Sequence, residues 1–580
     1  MMNQTTQFIS IDCDGYPLNA VWRLANSASI TKTVFIICPG IGTDYNNAYR
    51  NFRYLARSLN QAGFDTLTID YLATGSSSDG PETLNVIEKF EFSITSAVSF
   101  CRAHYQNICL IGFRVGATLA LKYAADYNLD GVVAWSPILK GKSFLREVKL
   151  LAASAELNHE TSEDLEISGV ILDPPTQAYL AQIDITQMTP RARETLCVLD
   201  ATSKRLEKVI DRWRECDNTS VTVLESTETQ DLLIDAHLTK VASATNQAIV
   251  DTVATWFDNN EMHNQEIPKF VSELVINHSF IETCCFDGAR FSVRCQPTDV
   301  SKDKPVILFL SSGSNHNVGP HRLYVELSRK LASSGFTSYR VDMPGLGETP
   351  AEDLESENFS YMPKPTDFLE RFVAAHDLQH SSLILIGLCS GAFHSFKAAA
   401  ESETMPIKAI IPINPLTFYW QQGMTIDDAP SVNFSKWSWY RQSMKDINRW
   451  KKLFSGKVAI KPIIAVIAER IKSQLKARST NQLSEPENAN GKFEVNQNIT
   501  RTLHRIDELN RPIRFIFSEN DPGLEILKAS SKKAFNQQKK KGQISVSFIA
   551  NADHTFSRQA VRKQLIDQLL AELSAVTEGA

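Results

Sequence analysis

Three polar residues in the second half of the sequence have the types and the order needed for acyl transfer. Cys389 lies in "LILIGLCSGAF", flanked by Gly387 and Gly391, while Asp521 lies in "IRFIFSENDPG" and His554 in "ISVSFIANADHTFS". A thiol can attack an acyl carbon, and an imidazole can accept its proton and return one to the leaving group. A carboxylate fixes the tautomer of that imidazole and stabilises its charged form. These residues therefore predict nucleophilic catalysis by Cys389.

The elements around the three residues fit this chemistry. Each residue follows a strand-like apolar run, and the run before Cys389 leads into a helical pattern. A strand, a Gly-x-nucleophile-x-Gly turn and a helix form the nucleophile elbow of the α/β-hydrolase fold, whose acid and histidine follow in that order. The helix N-terminus lowers the pKa of the thiol and can hold an oxyanion. We predict that the amide of Ser390 donates to this oxyanion, with Ser312 or Gly313 of the loop "SSGSNHNVGPHR" as the second donor.

Some residues near this site have two interpretations. Glu519 and Asp553 are alternative acids, although solvated loop carboxylates are the preferred interpretation for them. His316, His321 and Arg322 share the loop of the second predicted oxyanion donor. They either bind a carboxylate or phosphate of the substrate or simply hold the loop.

The first half of the chain repeats the elbow without a nucleophile. In "CLIGFRVGATLA", Arg114 stands between Gly112 and Gly116. Arginine stays protonated in proteins, so it can neither attack a carbonyl nor act as a base. Asp200 and His237 fall where an acid and a histidine belong, but they have no nucleophile to serve. Arg114 either forms a site for a phosphate or carboxylate or, as the preferred interpretation, pairs with Asp200 in a degenerate pocket.

The order of the elements predicts two α/β domains in tandem. Strand-like runs alternate with amphipathic helical patterns in both halves, which indicates mostly parallel sheets with helices on both faces. We predict a degenerate domain at 1–262 and a catalytic domain at 269–580, joined within the polar stretch 258–268. A cap over the second site is expected at about 419–505. It contains a group of aromatic residues, which either enclose a substrate or pack between cap helices: Trp420, Trp437, Trp439, Tyr440 and Trp450.

The composition excludes several classes of protein. The net charge of −6 gives no reason to expect nucleic acid as a partner, and no apolar run reaches the roughly 20 residues of a membrane span. The ten cysteines are scattered, and no CxxC pair is present. We therefore expect a cytoplasmic protein with no metal and no cofactor. The lysines at 532, 533 and 539–541 are interpreted as a solvated helix end, or alternatively as a docking site for an acidic carrier protein.

Longer motifs resemble a known pair of families. The segments "GFRVGATLALKYA" and "VVAWSPILKGKSFLREVKLL" resemble the type 2 hydrolase associated with exosortase A systems, which also has an arginine at the nucleophile position. The segments "GLCSGA", "NPLTFYW" and "NADHTFS" resemble the type 1 hydrolase of the same systems, which uses a cysteine elbow. The resemblance covers most of both domains and implies a natural fusion. It also implies neighbouring acyl-activating enzymes and acyl carrier proteins, and hence acyl transfer or thioester chemistry.

Residues and resemblance together predict a cysteine-dependent acyl hydrolase or acyltransferase. Such a thioesterase-like enzyme would form an acyl-enzyme on Cys389 from an acyl thioester or ester, with an acyl carrier protein as a candidate partner. One alternative is a pseudo-hydrolase scaffold in a biosynthetic complex, which the intact spacing of Asp521 and His554 argues against. Another is a hydrolase of small esters or lactones, similar to dienelactone hydrolases. The predicted aromatic cap is large for such substrates and favours a bulkier one. The oligomeric state is not predicted.

Overall fold

The structure, a computed structural model, describes most of the chain as two compact units. The described residues are 6–25, 32–154, 163–200, 206–216, 219–257, 273–276, 279–288, 290–300, 303–351, 357–420, 424 and 499–578. The first unit comprises Met1–Phe359 with Thr555–Leu570, and the second comprises Ser360–His554 with Ala571–Ala580. The predicted joint at 258–268 and most of the predicted cap, including Trp437, Trp439, Tyr440 and Trp450, lie outside the described residues. The domain limits 1–262 and 269–580 therefore stay a prediction.

The first unit begins with an eight-stranded sheet and its helices. In chain order the elements are β1 (Thr6–Cys13), β2 (Tyr16–Arg23), β3 (Thr33–Cys38), α1 (Thr43–Gln61), β4 (Asp65–Ile69), α2 (Val86–Arg102), β5 (Asn107–Phe113), α3 (Val115–Asp126), β6 (Leu129–Trp135), α4 (Gly141–Ser154), β7 (Leu165–Ile167), β8 (Val170–Leu172), α5 (Pro174–Gln182), β9 (Ala192–Leu199), α6 (Glu207–Arg214), β10 (Ser220–Glu225) and α7 (Ser243–Ala254). Across the sheet the order is β1-β2-β4-β3-β5-β6-β9-β10, and β7 pairs with β8 separately. The β1–β2 and β2–β4 pairs are antiparallel, and the other pairs in the sheet are parallel.

Alternation along β3 shows why this sheet needs helices on both faces. Val34 and Ile36 pack into one hydrophobic cluster, while Phe35 and Ile37 pack into another. Successive side chains of a strand point to opposite faces, so a continuous apolar run is stable only when both faces are covered. Helices α2 and α3 contribute to the first cluster, and α1 and α7 contribute to the second.

The chain then starts a second set of elements. Those of the first unit are β11 (Glu273–Ile276), β12 (Phe280–Asp287), β13 (Arg290–Pro297), β14 (Val306–Leu310), α8 (Leu323–Ser333) and β15 (Ser338–Val341), with the strand order β11-β12-β13-β15-β14. Those of the second unit are α9 (Pro365–Ala375), β16 (Leu383–Leu388), α10 (Ser390–Glu401), β17 (Ile407–Ile413), α11 (Ile499–Glu508), β18 (Ile513–Ser518), α12 (Gly523–Lys540) and β19 (Ile544–Ile549). Strands β16, β17, β18 and β19 are parallel neighbours in that order. The final helix is α13 (Gln559–Glu578).

Both halves thus show the strand and helix order of an α/β-hydrolase fold. The predicted fold class is confirmed: antiparallel strands open each half, and parallel strands alternating with helices follow. Such parallel strands place their carboxyl ends at one edge of a sheet, where loops can carry chemical groups.

A buried ion pair joins the first sheet to a later residue of the first unit. Arg23 and Glu348 pair at 2.6 Å, with side chains that are only 4% and 2% exposed. Burial opposes the ionisation of Glu348, but Arg23 and Arg53 together lower its pKa to about 2. Because a buried charge without its partner is costly, this pair holds the segment around Glu348 against the first sheet. A further buried pair, Glu282 with Arg340 at 2.9 Å, joins β12 to β15.

Candidate active site

Cys389 lies at a strained turn between β16 and α10. Its backbone has φ 57° and ψ −113°, in the left-handed half of φ space that residues with a β-carbon rarely adopt. A β-carbon on Gly387 would lie only 2.1 Å from the carbonyl carbon of Gly391, so this position requires glycine. The turn places Cys389 at the N-cap of α10 and leaves its side chain partly exposed. This is the geometry of a nucleophile elbow.

The other two predicted residues lie together in the same unit. His554, in the loop after β19, donates from Nδ1 to Oδ2 of Asp521 at 2.6 Å. The Asp521 side chain is 1% exposed, and its Oδ1 accepts from the amide of Gly523 at 2.9 Å. The second imidazole nitrogen, Nε2, is buried, and the ring lies close enough to the thiol of Cys389 for each group to shift the pKa of the other. The structure therefore brings all three predicted residues together.

The pKa shifts of Cys389 and His554 have opposite directions, and each favours the charged form of its group. Burial works against the ionisation of Cys389, but the hydrogen bond and the positive charge of His554 lower its pKa below the ordinary value of 9.0. The amide of Ser390, the first predicted oxyanion donor, also lowers the Cys389 pKa by a backbone hydrogen bond. Burial likewise opposes the charge on His554, yet its bond to Asp521 and the adjacent thiol raise its pKa to about 10. Both shifts favour the charged forms, a thiolate at Cys389 and an imidazolium at His554.

Cys389 differs in this respect from eight other cysteines, which are also free thiols. Burial raises the pKa of all eight, for example to about 11 for Cys13 and about 12 for Cys38. The same direction holds for Cys101, Cys109, Cys197, Cys284, Cys285 and Cys295. Thiolates are the nucleophilic form, so these eight cysteines are inert relative to Cys389.

Asn414 positions the loop that carries His554, a role that the sequence analysis missed. It lies at the end of β17 with φ 44° and is fully buried. Its Nδ2 donates to Ser518 Oγ and to the carbonyl oxygen of His554, both at 2.8 Å, and its Oδ1 accepts from the amide of Ser518 at 2.7 Å. Ser518 Oγ in turn donates to the carbonyl of Asp553 at 2.8 Å. The ends of β17 and β18 and the histidine loop are thereby joined.

Glu519 and Asp553, the two alternatives to Asp521, make other contacts. The exposed carboxylate of Glu519 accepts from the amide of Asn551 at 3.4 Å. Asp553 contributes its backbone carbonyl to Ser518. The carboxylate that bonds the His554 ring is that of Asp521.

Tyr361 is a second residue that the sequence analysis missed. Its hydroxyl lies 3.6 Å from Sγ of Cys389 and helps to lower the pKa of the thiol. The ring stacks on Trp420, the one predicted cap aromatic among the described residues, with centroids 4.3 Å apart. Because Tyr361 precedes Cys389 by 28 residues and lies in a loop, no local pattern connected the two.

The first half contains the same elbow with a different occupant. Arg114 has φ 53° and ψ −116°, close to the values of Cys389. A β-carbon on Gly116 would lie 2.2 Å from the carbonyl oxygen of Pro39, so glycine is required here too. Arg114 bonds Glu147 at 2.8 Å and Asp44 at 3.4 Å. The predicted pairing with Asp200 is wrong, since Asp200 accepts instead from Gln230 at 3.0 Å.

These carboxylates neutralise the guanidinium of Arg114, which is 8% exposed. Burial raises the pKa of Asp44, and the positive charge of Arg114 opposes that shift. His237, which falls where a catalytic histidine belongs in this half, is exposed. A ligand site at Arg114 stays a prediction.

The predicted loop residues lie in the first unit. Arg322 donates to the carbonyls of Gly75 and Ser77 and pairs with Asp79 at 2.6 Å. His321 Nε2 lies 2.8 Å from the hydroxyl of Thr555. These contacts match the interpretation that both residues hold the loop, and their binding of substrate stays a prediction.

His316 is buried in the same loop. Its ring stacks on Tyr49 with centroids 4.0 Å apart, and burial lowers its pKa to about 3, so it is neutral. A neutral buried imidazole attracts an anion weakly, which again favours the loop-holding interpretation. Ser312 is buried, and Gly313 has φ 57°. Their part in an oxyanion hole stays a prediction.

Comparison with known proteins identifies the fold. A family model described as the α/β hydrolase fold matches residues 33–154, which include the Arg114 elbow. No curated protein matches the chain. Among solved structures, an α/β serine hydrolase without a lid from Xanthomonas campestris is 13% identical, with 44% of this chain and 97% of that chain covered and a TM-score of 0.30. Est1E from Butyrivibrio proteoclasticus is 16% identical, with 44% and 99% covered and a TM-score of 0.30.

A third solved structure, the esterase Pf2001 from Pyrococcus furiosus, is 16% identical, with 43% of this chain and 90% of that chain covered and a TM-score of 0.32. At such identities and TM-scores these structures say nothing about activity, so the activity of this chain has to be inferred from its own residues. Within the part of the chain that the structure describes, no helix is long and apolar enough to cross a membrane.

Proposed function

We propose that the protein is a cysteine-dependent acyl hydrolase or acyltransferase that works through an acyl-enzyme on Cys389, while its first half is non-catalytic. One observation carries this proposal: His554 bonds Asp521 at 2.6 Å beside an elbow thiol whose pKa is lowered. The absence of a nucleophile at the Arg114 elbow supports a non-catalytic first half.

The first half-reaction forms the acyl-enzyme. The thiolate of Cys389 donates an electron pair to the acyl carbon, and the carbonyl π pair moves to oxygen to give a tetrahedral oxyanion. The amide of Ser390 already donates a hydrogen bond to the sulfur and can donate to this oxygen once the negative charge has moved there. When the intermediate collapses, the carbonyl re-forms and the leaving thiolate or alkoxide takes the proton of the His554 imidazolium.

The second half-reaction releases the acyl group. His554, now neutral, takes a proton from water or from another acceptor as that acceptor attacks the thioester. Collapse of the second tetrahedral intermediate expels the Cys389 thiolate and restores the charged pair. Asp521 keeps its charge throughout and stabilises each imidazolium.

Acyl thioesters are the substrate class that we favour. A thiolate exchanges with a thioester at little cost, because both sides of the exchange are thioesters. The resemblance to the hydrolases of exosortase A systems supports the same class, since acyl-activating enzymes accompany them. It also supports the interpretation of the chain as a fusion of the type 2 and type 1 forms.

An acyl carrier protein is our proposed source of the acyl group. Lys532, Lys533, Lys539 and Lys540 are exposed on or at the end of α12, where an acidic partner could dock. A carrier-bound acyl group should therefore react faster than the same group on a small thiol. Equal rates, or a Lys532→Glu variant that leaves the preference unchanged, would contradict this docking site.

The acyl-enzyme can be tested by intact-protein mass spectrometry after brief exposure to a panel of acyl thioesters. We expect an acyl mass shift on the wild type and none on Cys389→Ala. Cys216→Ala is the matched control, because Cys216 is an exposed free thiol that could react non-specifically. Its adduct should equal that of the wild type. A wild type with no adduct and no thioester loss would refute the proposal and favour the scaffold or the small-ester alternative.

A further inference from the structure

The Tyr361 side chain is held in one position beside the nucleophile. Its ring stacks on Trp420 at an interplanar angle of 16° and meets the edge of Phe393 with centroids 5.6 Å apart. The residue is 5% exposed. The next amide, that of Met362, donates to Nε2 of the buried His394 at 3.0 Å, which fixes the backbone. The hydroxyl, 3.6 Å from Cys389 Sγ, therefore has little freedom to move away.

This hydroxyl is a hydrogen-bond donor. Burial and the adjacent negative charge of Cys389 raise the pKa of Tyr361 well above its ordinary value of 10.0, so it keeps its proton. Within the described residues, the sulfur of Cys389 is its hydrogen-bond partner. Besides His554, the sulfur of Cys389 therefore has two donors in its own unit, the hydroxyl of Tyr361 and the amide of Ser390.

We propose that Tyr361 is a catalytic residue that donates its hydroxyl hydrogen bond to the oxyanion of the tetrahedral intermediate. The inference rests on the acyl transfer proposed above. Attack moves the negative charge from sulfur to an oxygen that shares a carbon with that sulfur. A donor that touches Sγ needs only a small reorientation to reach this oxygen, and a donor already in place costs little to reorganise.

Proton transfer is not part of this role. The thiolate forms the S–C bond, the carbonyl π pair becomes the oxyanion lone pair, and Tyr361 shares its hydrogen without losing it. On collapse the oxyanion pair returns to the carbonyl, and the leaving group takes its proton from His554. Tyr361 then resumes its contact with sulfur.

A comparison of two reactions of Cys389 can separate this role from simple activation of the thiol. Acylation by a small acyl thioester passes through an oxyanion, whereas alkylation by iodoacetamide displaces iodide without one. The Tyr361→Phe variant keeps the ring packing and removes the hydroxyl. We expect its acylation rate to fall roughly 10²- to 10³-fold, as for loss of one oxyanion donor. Its alkylation rate, measured at a pH where the thiolate is fully formed, should change much less.

The matched control is Tyr419→Phe, the same chemical change in a partly buried tyrosine packed against the same aromatic cluster. Both of its rates should match those of the wild type. Alkylation of Tyr361→Phe at a near wild-type rate also shows that its elbow has folded.

Three results would overturn the inference. If Tyr361→Phe is acylated at the wild-type rate, Tyr361 does not donate to the oxyanion, and the proposed function is unaffected. Equal losses in acylation and alkylation assign Tyr361 to thiolate activation alone. A wild type that is alkylated at Cys389 but acylated by no thioester or ester refutes the proposed function and this inference with it.

Discussion

Replacing Asn414 with glycine should loosen the scaffold that holds His554. The change removes three hydrogen bonds but creates no backbone strain, because glycine readily adopts the φ of 44° found here. It leaves the buried amide of Ser518 and the part-buried carbonyl of His554 without their partners. An unsatisfied buried group costs about 1–3 kcal/mol, and water can reach the part-buried one. We therefore expect the second unit to lose about 1–4 kcal/mol of local stability.

Hydrogen exchange measured by mass spectrometry can follow this loss. Because about 1.4 kcal/mol corresponds to a tenfold change, peptides that cover β18 and the His554 loop should exchange roughly 5-fold to 10³-fold faster. Acylation of Cys389 should also slow, because the imidazole loses its fixed position.

The control variant is Asn510→Gly. Asn510 also has a positive φ, 52°, but it is exposed and accepts a bond from Gln543 at 3.1 Å on the surface. In this variant the same peptides should exchange at rates within a few-fold of the wild type. If Asn414→Gly exchanged no faster than Asn510→Gly, the proposed role of Asn414 as the link between strand ends and histidine loop would be refuted.

Three further predictions concern the charged groups. Asp521→Asn should slow acyl turnover by roughly 10²- to 10⁴-fold and shift the alkylation of Cys389 to higher pH, because His554 loses its supporting charge. Stopped-flow measurements that find the turnover rate and the pH profile of alkylation both unchanged would contradict this. The folded pKa of His554, about 10, exceeds its ordinary 6.5, whereas that of Cys389 lies below its ordinary 9.0. The two shifts affect stability in opposite directions below pH 9, so denaturant titrations should show stability falling mainly as the pH rises from about 9 through 10, where the unfolded chain has lost both protons and the folded chain still holds that of His554. Arg114→Ala leaves Asp44 without its countercharge, so thermal unfolding should occur at lower temperature while acylation of Cys389 persists; loss of acylation in a folded variant would contradict a non-catalytic first half.

The sequence by itself determined the fold class and the local geometry of both elbows. Alternating apolar runs and helical patterns predict parallel strands with helices. The elbows can be recognised in the sequence because the position two residues before the elbow residue has no room for a β-carbon and must be glycine. Cys389, Asp521 and His554 were predicted as a set because each follows a strand, and parallel strands end at a common edge.

Only the tertiary structure decided which side chains surround these residues. Tyr361 lies in a loop, and Asn414 acts through bonds to residues over 100 positions away, so neither has a periodic or local signature. The partners of Arg114 were predicted wrongly for the same reason: Asp44 and Glu147 come from two different helices that only folding brings to the elbow. Strands and turns depend on the types of neighbouring residues, whereas a contact between side chains distant in sequence depends on how the elements pack.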